Sequence, residues 1–510
     1  MHEELEIKLR LPPEALGRLR RLRPPGAVAG RRPATRRLRA VYFDTPDFAL
    51  RRSGFALRVR REGPRWIQSL KGGGGAAAGL HRRLEWESPL PRCEVNPGLL
   101  PRGGRGSVAR SRKVRDALQP VFVTDISRRI RLLTFENGDR VEFALDRGEI
   151  RASSRAAPVC EIELELKAGA PARLFEVALA LVRDLPVRLE PESKAERGYR
   201  LAGGMPRTPA KAEDVLLPAD CTASGALAAI LRSCLAHLQA NEDGMLEGAD
   251  VEYLHQMRVA LRRMRSAFTL FNRLLPREAG EPQVREVKWL TPRLGAARDW
   301  DVFVTETLAK IAASGSGAPG MAKLVAAARV RQEQADDLAR EAVGSRRYQE
   351  LLLRLGAWIA GEAWLEPLEG EARAHMDQPA REFARAELER RHRKLVKGGE
   401  HLAALAPAER HRMRIAAKKL RYAGEFFSSL FPGKAARAYT KALGELQDVL
   451  GALNDAATTV HLVRELAGVG TEPAPAAGFV EGWVASETAH RVAHLEETWG
   501  RFLEQKRFWK

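Results

Sequence analysis

The hydrophobic pattern of this chain changes its period once along 510 residues. Up to about residue 204, short segments such as 5–11, 141–146 and 160–167 alternate apolar and polar residues, which predicts β-strands. From about residue 220 onward, apolar residues recur at helical spacing in Ala-, Leu-, Arg- and Glu-rich sequence. A chain of this length exceeds one ordinary domain. We therefore predict a strand-rich domain at 1–204, a linker at 205–219 and a helical domain at 220–510.

The helical region contains an internal repeat. The segment 255–265, HQMRVALRRMR, aligns with 411–421, HRMRIAAKKLR, at an offset of 156 residues, and the register persists without a gap as far as Asp299 and Asp455. A register kept over 45 residues predicts two related helical bundles of four helices each, at about 220–375 and 376–510.

Charge indicates a polyanionic partner. The formal net charge is +20. Residues 1–204 carry 41 basic and 25 acidic residues, or +16, whereas residues 205–510 carry 44 and 40, or +4. Such a field attracts nucleic acid, anionic membranes and polyphosphate alike, so charge alone does not choose among them.

The predicted location is the cytoplasm. The four cysteines form no Cys-x-x-Cys pair, and the first residues are acidic instead of forming a basic and apolar leader. No apolar run approaches the roughly 20 residues that a membrane-spanning helix needs. We therefore expect a protein that is neither exported nor membrane-spanning.

The polar faces of the predicted strands carry charges of both signs. Glu4, Glu6 and Lys8 share one face of the first strand, and similar ionic faces recur on four more strands. These are either solvated faces with cross-strand ion pairs or, if they converge inside a closed sheet, the lining of a charged tunnel. Carboxylates bind Mg²⁺ or Mn²⁺ while Arg and Lys hold phosphate oxygens, so a tunnel of this kind fits phosphoryl transfer.

The strand-rich region resembles the CYTH domains, the triphosphate tunnel metalloenzymes. The ExExK motif at 4–8 carries the resemblance, together with the segments 57–60 (LRVR), 66–71 (WIQSLK), 161–165 (EIELE) and 193–198 (SKAERG), which follow the family's order. The resemblance implies an α+β domain with a closed antiparallel β-barrel. The catalytic residues implied are Glu4, Glu6 and Lys8; the metal ligands are Glu4, Glu6, Asp146, Glu161 and Glu163; and the substrate-binding residues are Lys8, Arg58, Arg60, Lys71, Arg128 and Lys194.

The helical repeats stack basic residues on one helix face. Residues three and four positions apart on a helix are neighbours, and like charges at these spacings repel one another unless a polyanion or an acidic helix lies alongside. A solvated face, or one satisfied by Asp299, Asp301, Asp448 and Asp455, is the alternative. The segments resemble the CHAD domain, a helical module associated with polyphosphate. The polyphosphate-binding residues implied are His255, Arg258, Arg262 and Arg265 in the first copy, and His411, Arg414, Lys418 and Arg421 in the second.

The resulting prediction is a two-domain inorganic triphosphatase. It would use Mg²⁺ or Mn²⁺ to cleave triphosphate into diphosphate and phosphate, while the all-α half binds polyphosphate and so associates with polyphosphate granules. Thiamine triphosphate hydrolysis and ATP cyclisation on the same fold, or a non-enzymatic polyphosphate or nucleic-acid binding protein, are the alternatives. A nucleic-acid partner is disfavoured because the aromatic content is only 6%. The sequence leaves the oligomeric state open.

Overall fold

A computed structural model describes residues 2–19, 27–28, 33–72, 76–77, 79–101, 103, 105–248, 250–315, 318–399, 402, 405–467 and 474–510. The chain forms two compact units. One consists of Met1–Thr208 with Arg346–Gly361, and the other of Pro209–Ser345 with Glu362–Lys510.

The first unit is built around one antiparallel sheet. Its strands are β1 His2–Arg10, β2 Ala27–Val28, β3 Ala34–Asp44, β4 Phe55–Glu62, β5 Arg65–Gly72, β6 Ala76–Ala77, β7 Leu80–Leu90, β8 Gln119–Phe135, β9 Arg140–Ala152, β10 Arg155–Ala168 and β11 Arg188–Leu189. Its helices are α1 Leu16–Leu19, α2 Ala49–Arg52, α3 Arg112–Arg115, α4 Ala172–Asp184 and α5 Lys194–Gly203.

The sheet closes into an eight-stranded barrel. The strands pair in the order β1-β10-β9-β8-β3-β4-β5-β7, and β7 pairs back with β1. Closure satisfies the backbone hydrogen bonds that an edge strand would expose. The predicted closed antiparallel barrel is therefore confirmed.

The alternating pattern of the strands sorts the side chains between the two faces of the barrel. On β1 the apolar residues Ile7 and Leu9 are fully buried, and α4 packs on β1 and β10. The apolar face of α4, including Leu174 and Leu181, is buried as well. Hydrophobic burial therefore lies on the outer face of these strands, which leaves their ionic face directed into the barrel.

One helix of the first unit comes from the middle of the helical sequence. This helix, α12 (Arg346–Ala360), packs on α4, and the backbone N–H of Leu189 in β11 donates to the side-chain oxygen of Gln349 at 2.9 Å. The sequence placed α12 in the predicted helical domain at 220–510, because this segment has the same helical period as its neighbours. Its packing on α4 was not indicated.

The second unit is helical, as predicted. Its helices are α6 Ala223–Ala240, α7 Glu242–Glu247, α8 Val251–Leu270, α9 Arg277–Val302, α10 Ala309–Ala313, α11 Met321–Gly344, α13 Gly370–Asp377, α14 Ala380–Gly398, α15 Pro407–Phe427, α16 Ala435–Ala467, α17 Ala474–Ala493 and α18 Leu495–Leu503. A π-helical segment, Phe303–Leu308, joins α9 to α10. Among the described helices, none has an apolar stretch long enough to cross a membrane.

Corresponding helices of the two sequence copies begin at nearly the offset of the repeat. Helices α8 and α15 begin 156 residues apart, and α6 and α14 begin 157 residues apart. Within each copy neighbouring helices pack in sequence order, and across the copies α8 packs on α15. The basic segments of both copies, which lie on α8 and α15, are thereby brought together.

Candidate functional site

The barrel encloses a charged cavity of about 610 Å³. Its lining contains equal numbers of acidic and basic residues, ten of each. The acidic residues are Glu4, Glu6, Glu62, Glu85, Glu87, Glu142, Asp146, Glu163, Glu165 and Glu196; the basic residues are Lys8, Arg36, Arg51, Arg58, Arg60, Lys71, Arg83, Arg128, Lys167 and Lys194. All the sequence-predicted tunnel residues therefore line the cavity except Glu161.

Lys8 lies at the centre of one ion-pair network. Register pairs Lys8 of β1 with Glu163 of β10, and the Lys8 ammonium contacts both the Glu163 carboxylate and that of Glu6, the latter at 2.9 Å. All three side chains are buried. Strand alternation and cross-strand register thus place a cation between two carboxylates in a low-dielectric setting, where the mutual attraction is strong.

A second network joins β8, β9 and α5. Arg128 makes a bidentate contact with Asp146 at 2.7 and 2.6 Å and also contacts Glu163. The ammonium of Lys194 lies 2.6 Å from Asp146 and 2.9 Å from Glu163. Lys194 is the first residue of α5, and its position is fixed by a capping box in which Ser193 and Glu196 exchange side-chain and backbone hydrogen bonds.

The carboxylates of Asp146, Glu161 and Glu163 form a group that fits a divalent cation. One oxygen from each lies within 4.8 Å of the others, and all three residues are buried. Glu161 lies beside the cavity and contacts Lys194 and Arg197. An all-oxygen, anionic donor set is the kind that Mg²⁺ and Mn²⁺ prefer.

The third network contains a residue that the sequence-based site omitted. Lys71 contacts Glu4 at 2.6 Å and Glu85 at 3.1 Å, and Arg58 lies 3.6 Å from Glu85. Glu85 therefore connects two of the predicted substrate-binding residues. The sequence could have indicated Glu85, because Arg83, Glu85 and Glu87 alternate with apolar residues and so share one face of the strand. Arg60 is paired similarly, 3.1 Å from Glu87.

These networks keep the carboxylates ionised. Burial alone would raise the pKa of Glu6, but the positive charges of Lys8 and Lys71 outweigh it and lower that pKa to about 2. Burial likewise opposes ionisation of Glu163, yet Lys194, Lys8 and Arg128 hold its pKa well below the usual range. The pKa of Lys8, despite burial, is raised by Glu163 and Glu6. Both partners are therefore charged at neutral pH.

His81, one of the titratable groups nearest to this site, is neutral. Burial, with the charges of Arg83 and Lys8, lowers the pKa of His81 to about 4. Its ring nitrogens lie 3.1 Å from the backbone oxygen of Glu190 and 3.1 Å from the guanidinium of Arg83. His81 therefore positions Arg83, which lines the cavity.

In the second unit, four cations from the two sequence copies converge. The side chains of Arg258 and Arg262 on α8 interact electrostatically with those of Arg414 and Lys418 on α15. We call these four residues the helical cation cluster. Nearby carboxylates neutralise the positive charge of the cluster only in part. Arg258 contacts Asp299 at 2.7 Å, whereas Arg414 is 3.9 Å from Asp455. The Nε atoms of Arg262 and Arg414 are buried without a hydrogen-bond partner among the described residues.

The remaining predicted residues of this face differ from the cluster in exposure, pairing or charge. Arg265 and His411 are exposed, and Arg421 is paired with Glu425 at 2.7 Å. His255 is half-buried, and burial together with Arg298 lowers its pKa to about 4, so it contributes no charge at neutral pH.

Two contributors to the cluster were missed from the sequence. Arg298 acts electrostatically on Arg262, and Tyr422 hydrogen-bonds to it. Arg298 follows Leu294-Gly295-Ala296 on α9, a triplet that recurs at 450–452 at the offset of the repeat, so the sequence could have indicated it. Tyr422 lies just outside the stacked positions of α15.

Comparison with protein families agrees with this division. The CYTH domain model matches residues 2–199, and the CHAD domain model matches residues 229–464. The chain is therefore a two-domain protein of the tunnel-barrel and helical-repeat classes. It carries a CYTH domain followed by a CHAD domain.

Individual relatives cover parts of the chain. A curated protein of Haemophilus influenzae named inorganic triphosphatase is 35% identical over 163 residues, which is 32% of this chain and 45% of that relative, less than half its length. The crystal structure of the CHAD domain from the plant Ricinus communis is 36% identical, with a TM-score of 0.51, over 59% of this chain and 98% of that one. PptA from Streptomyces chartreusis is 19% identical, with a TM-score of 0.40, over 56% of this chain and 99% of that one.

Removing Lys194 tests whether the acidic group fits a divalent cation. In Lys194→Gln, three buried carboxylates lose a shared cation, so we expect the full chain without metal to lose about 3–5 kcal/mol of unfolding free energy. Mn²⁺ should restore more stability in this variant than in the wild type, as measured by calorimetric unfolding with EDTA or Mn²⁺.

The matched control is Lys167→Gln, which removes a cation from the same cavity but from a more exposed position beside Glu165. We expect a loss of about 1 kcal/mol or less there, without added rescue by Mn²⁺. Equal Mn²⁺ effects on the two variants would contradict the assignment.

Proposed function

We propose that the CYTH domain hydrolyses inorganic triphosphate to diphosphate and phosphate in the barrel cavity, with Mg²⁺ or Mn²⁺, and that the CHAD domain binds polyphosphate. The observation that carries the first part is the enclosed set of paired cations and carboxylates around Lys8, Arg128 and Lys194. The name of the Haemophilus influenzae relative supports the choice of substrate.

The charge balance of the cavity supports metal dependence. Ten acidic and ten basic lining residues leave no excess positive charge to neutralise a triphosphate. A polyanion entering alone would displace carboxylates from their cations and leave them unpaired in a buried site, at a cost. A polyanion entering with divalent cations leaves both the carboxylates and the basic residues with partners.

The residue roles follow from this exchange. Glu4, Glu6, Asp146, Glu161 and Glu163 would hold the metal, which when bound supplies electrostatic stabilisation of the charge on the phosphate oxygens. The released cations, Arg58, Arg60, Lys71, Arg128 and Lys194, would then bind the phosphate oxygens; the guanidinium groups are suited to bidentate contacts.

Lys8 is suited to orienting the reacting groups and not to removing a proton. Its pKa is raised above its ordinary value by Glu163 and Glu6, so its ammonium remains protonated. It can donate hydrogen bonds to a phosphate oxygen or to a water molecule beside Glu6. His81 is an unsuitable general base because both ring nitrogens already have partners.

The helical cation cluster supports the polyphosphate proposal. It joins cations from two helices, α8 and α15, and the nearby carboxylates Asp299 and Asp455 compensate for only some of them. Buried Nε donors of Arg262 and Arg414 would gain acceptors from phosphate oxygens. A linear polyanion along these helices removes the repulsion that neighbouring like charges otherwise produce.

The hydrolysis proposal is tested by phosphate release from triphosphate, ATP and thiamine triphosphate with Mg²⁺ or Mn²⁺. We expect triphosphate to be the preferred substrate, and the variant Glu4→Gln/Glu6→Gln to lose at least about a hundredfold in kcat/KM because electrostatic stabilisation of the transition state depends on the site. Lys167→Gln serves as a cavity control with a smaller effect. Unchanged activity in the Glu4→Gln/Glu6→Gln variant would remove the proposed metal site, and a preference for ATP or thiamine triphosphate would replace the substrate.

The pH dependence of polyphosphate binding tests the helical cation cluster. Burial and the charges of Arg414 and Arg262 lower the pKa of Lys418 to about 8, below its ordinary value of 10.5. Lys418 therefore loses its charge as the pH rises through 8, and affinity should fall between pH 7 and 9.5. Calorimetric titration with long-chain polyphosphate at constant salt should show a flatter profile for Lys418→Arg, whereas Lys419→Arg should follow the wild type. Parallel profiles for wild type and Lys418→Arg would argue against the cluster as the binding site.

A further inference from the structure

The net positive charge of the described part of residues 1–204 does not come from the barrel lining. The described residues of this region include 35 basic and 25 acidic side chains, a formal charge of +10. The charged residues that line the cavity contribute zero, because acidic and basic side chains are equal in number there. The field that attracts an anion from solution therefore originates from residues outside the lining.

Three exposed arginines lie on the outer faces of β3, β4 and β8. Arg39, Arg61 and Arg129 are exposed and make no ion pair with a carboxylate among the described residues. We call them the outer arginine patch. The adjacent Arg37 differs, because it forms a bidentate contact with Asp125 at 2.9 and 2.7 Å.

The strand register brings two of the three arginines together. Arg39 on β3 is directly opposite Arg61 on β4; on its other side it is opposite Asp125 of β8, the carboxylate that Arg37 contacts. Arg129 lies farther along β8, opposite Thr35. Like charges at opposed positions of an antiparallel pair are destabilising. Arg61 contacts the Trp66 ring, with its guanidinium carbon 5.7 Å from the ring centroid, and so is held away from the cavity. An anionic ligand across the two strands would relieve the repulsion.

The patch lies near the open end of the cavity. Helix α5 covers one end with Lys194 and Tyr199. At the other end, the lining includes Arg36, and also Glu62 and Ile130, the immediate neighbours of Arg61 and Arg129. Arg36 is 54% exposed, so this end communicates with solvent. Alternation of side chains then places the outer arginine patch on the outside of the same strands.

Carboxylates and cations are interspersed around the open end. The lining there includes Glu62, Glu87, Glu142 and Glu165 together with Arg36, Arg60 and Lys167. The lining as a whole carries no net charge, so it provides little long-range attraction for an anion in solution. Attraction to the opening therefore has to come from outside the cavity.

We propose that the outer arginine patch captures short phosphate chains and steers them into the open end of the barrel. This inference rests on the proposed triphosphatase function, and it assigns capture of the substrate to residues that do not take part in the reaction. Exposed guanidinium groups provide long-range attraction that is screened by salt, and such fields raise association rates by roughly 10- to 1000-fold.

The test is a triple substitution in the full chain, Arg39→Gln/Arg61→Gln/Arg129→Gln. Triphosphate hydrolysis with Mn²⁺ is measured from low to high ionic strength. We expect kcat/KM to fall about tenfold at low salt while kcat is unchanged, and the difference from wild type to shrink as salt increases.

The matched control removes the same net charge elsewhere on the domain. Arg112→Gln/Lys113→Gln/Arg115→Gln alters α3, whose Val114 packs in an apolar cluster with Phe55 and Leu57. We expect kcat/KM to change by less than about twofold there, because the charges removed do not lie beside the opening. Equal losses in the two triple variants, or a loss confined to kcat, would overturn the patch as a capture site.

Binding of triphosphate separates this inference from the proposed function. Calorimetric affinity for triphosphate is measured at low and high salt with Ca²⁺, a divalent cation chosen to slow turnover, so that the titration reports binding. If wild type binds triphosphate without cleaving it and the patch variant binds more weakly at low salt than the control variant, the patch is supported while the hydrolysis proposal fails. If hydrolysis occurs and the two variants bind alike, the patch is rejected while the hydrolysis proposal stands.

Discussion

The structure of the CYTH domain depends on pairing opposite charges inside a closed barrel. Burying an isolated carboxylate or ammonium group is costly, so each charge of the cavity is acceptable only because counter-charges lie close by. Lys8, between Glu6 and Glu163, is the clearest case. The same pairing holds the carboxylates ionised and the lysine protonated, and so prepares both partners for ligands that carry the opposite charge.

The CHAD domain presents a contrasting arrangement. Its cations are gathered from two copies of one sequence pattern by the packing of α8 against α15, and the acidic residues nearby are too few to pair with all of them. In the proposed function, the barrel exchanges internal partners for metal and triphosphate, whereas the helical cation cluster, which Asp299 and Asp455 compensate only in part, gains partners from a polyanion. On this account, the two domains recognise phosphate chains by different electrostatic means.

Sequence periodicity predicted the strands and the helical half, and alternation placed Glu4, Glu6 and Lys8 on one face. The closed barrel and most of the tunnel residues were implied by the resemblance to CYTH domains. Neither indicated that Glu161 lies beside the cavity, in contact with Arg197 of α5, because that contact joins elements distant in the sequence. Stacking on one helix placed Arg258 and Arg262 on the same face, and both interact with Arg414 and Lys418, but it did not indicate that Arg265 on that face is exposed. The placement of α12 beside α4 likewise depends on tertiary contacts that a helical period does not encode. The division of the CHAD domain into two four-helix bundles stays a prediction.

The central claim is that a charge-balanced cavity accepts triphosphate only together with divalent cations. Its most direct test is calorimetric titration of the full chain with triphosphate, for the wild type and for Glu6→Gln. Each protein is titrated once in EDTA and once in Ca²⁺, a divalent cation chosen to slow turnover. The account predicts binding to the unsubstituted barrel that is at least about tenfold tighter with the cation, a difference of about 1.4 kcal/mol, and a smaller gain in the variant. Equally tight binding in EDTA, unchanged by the substitution, would contradict it.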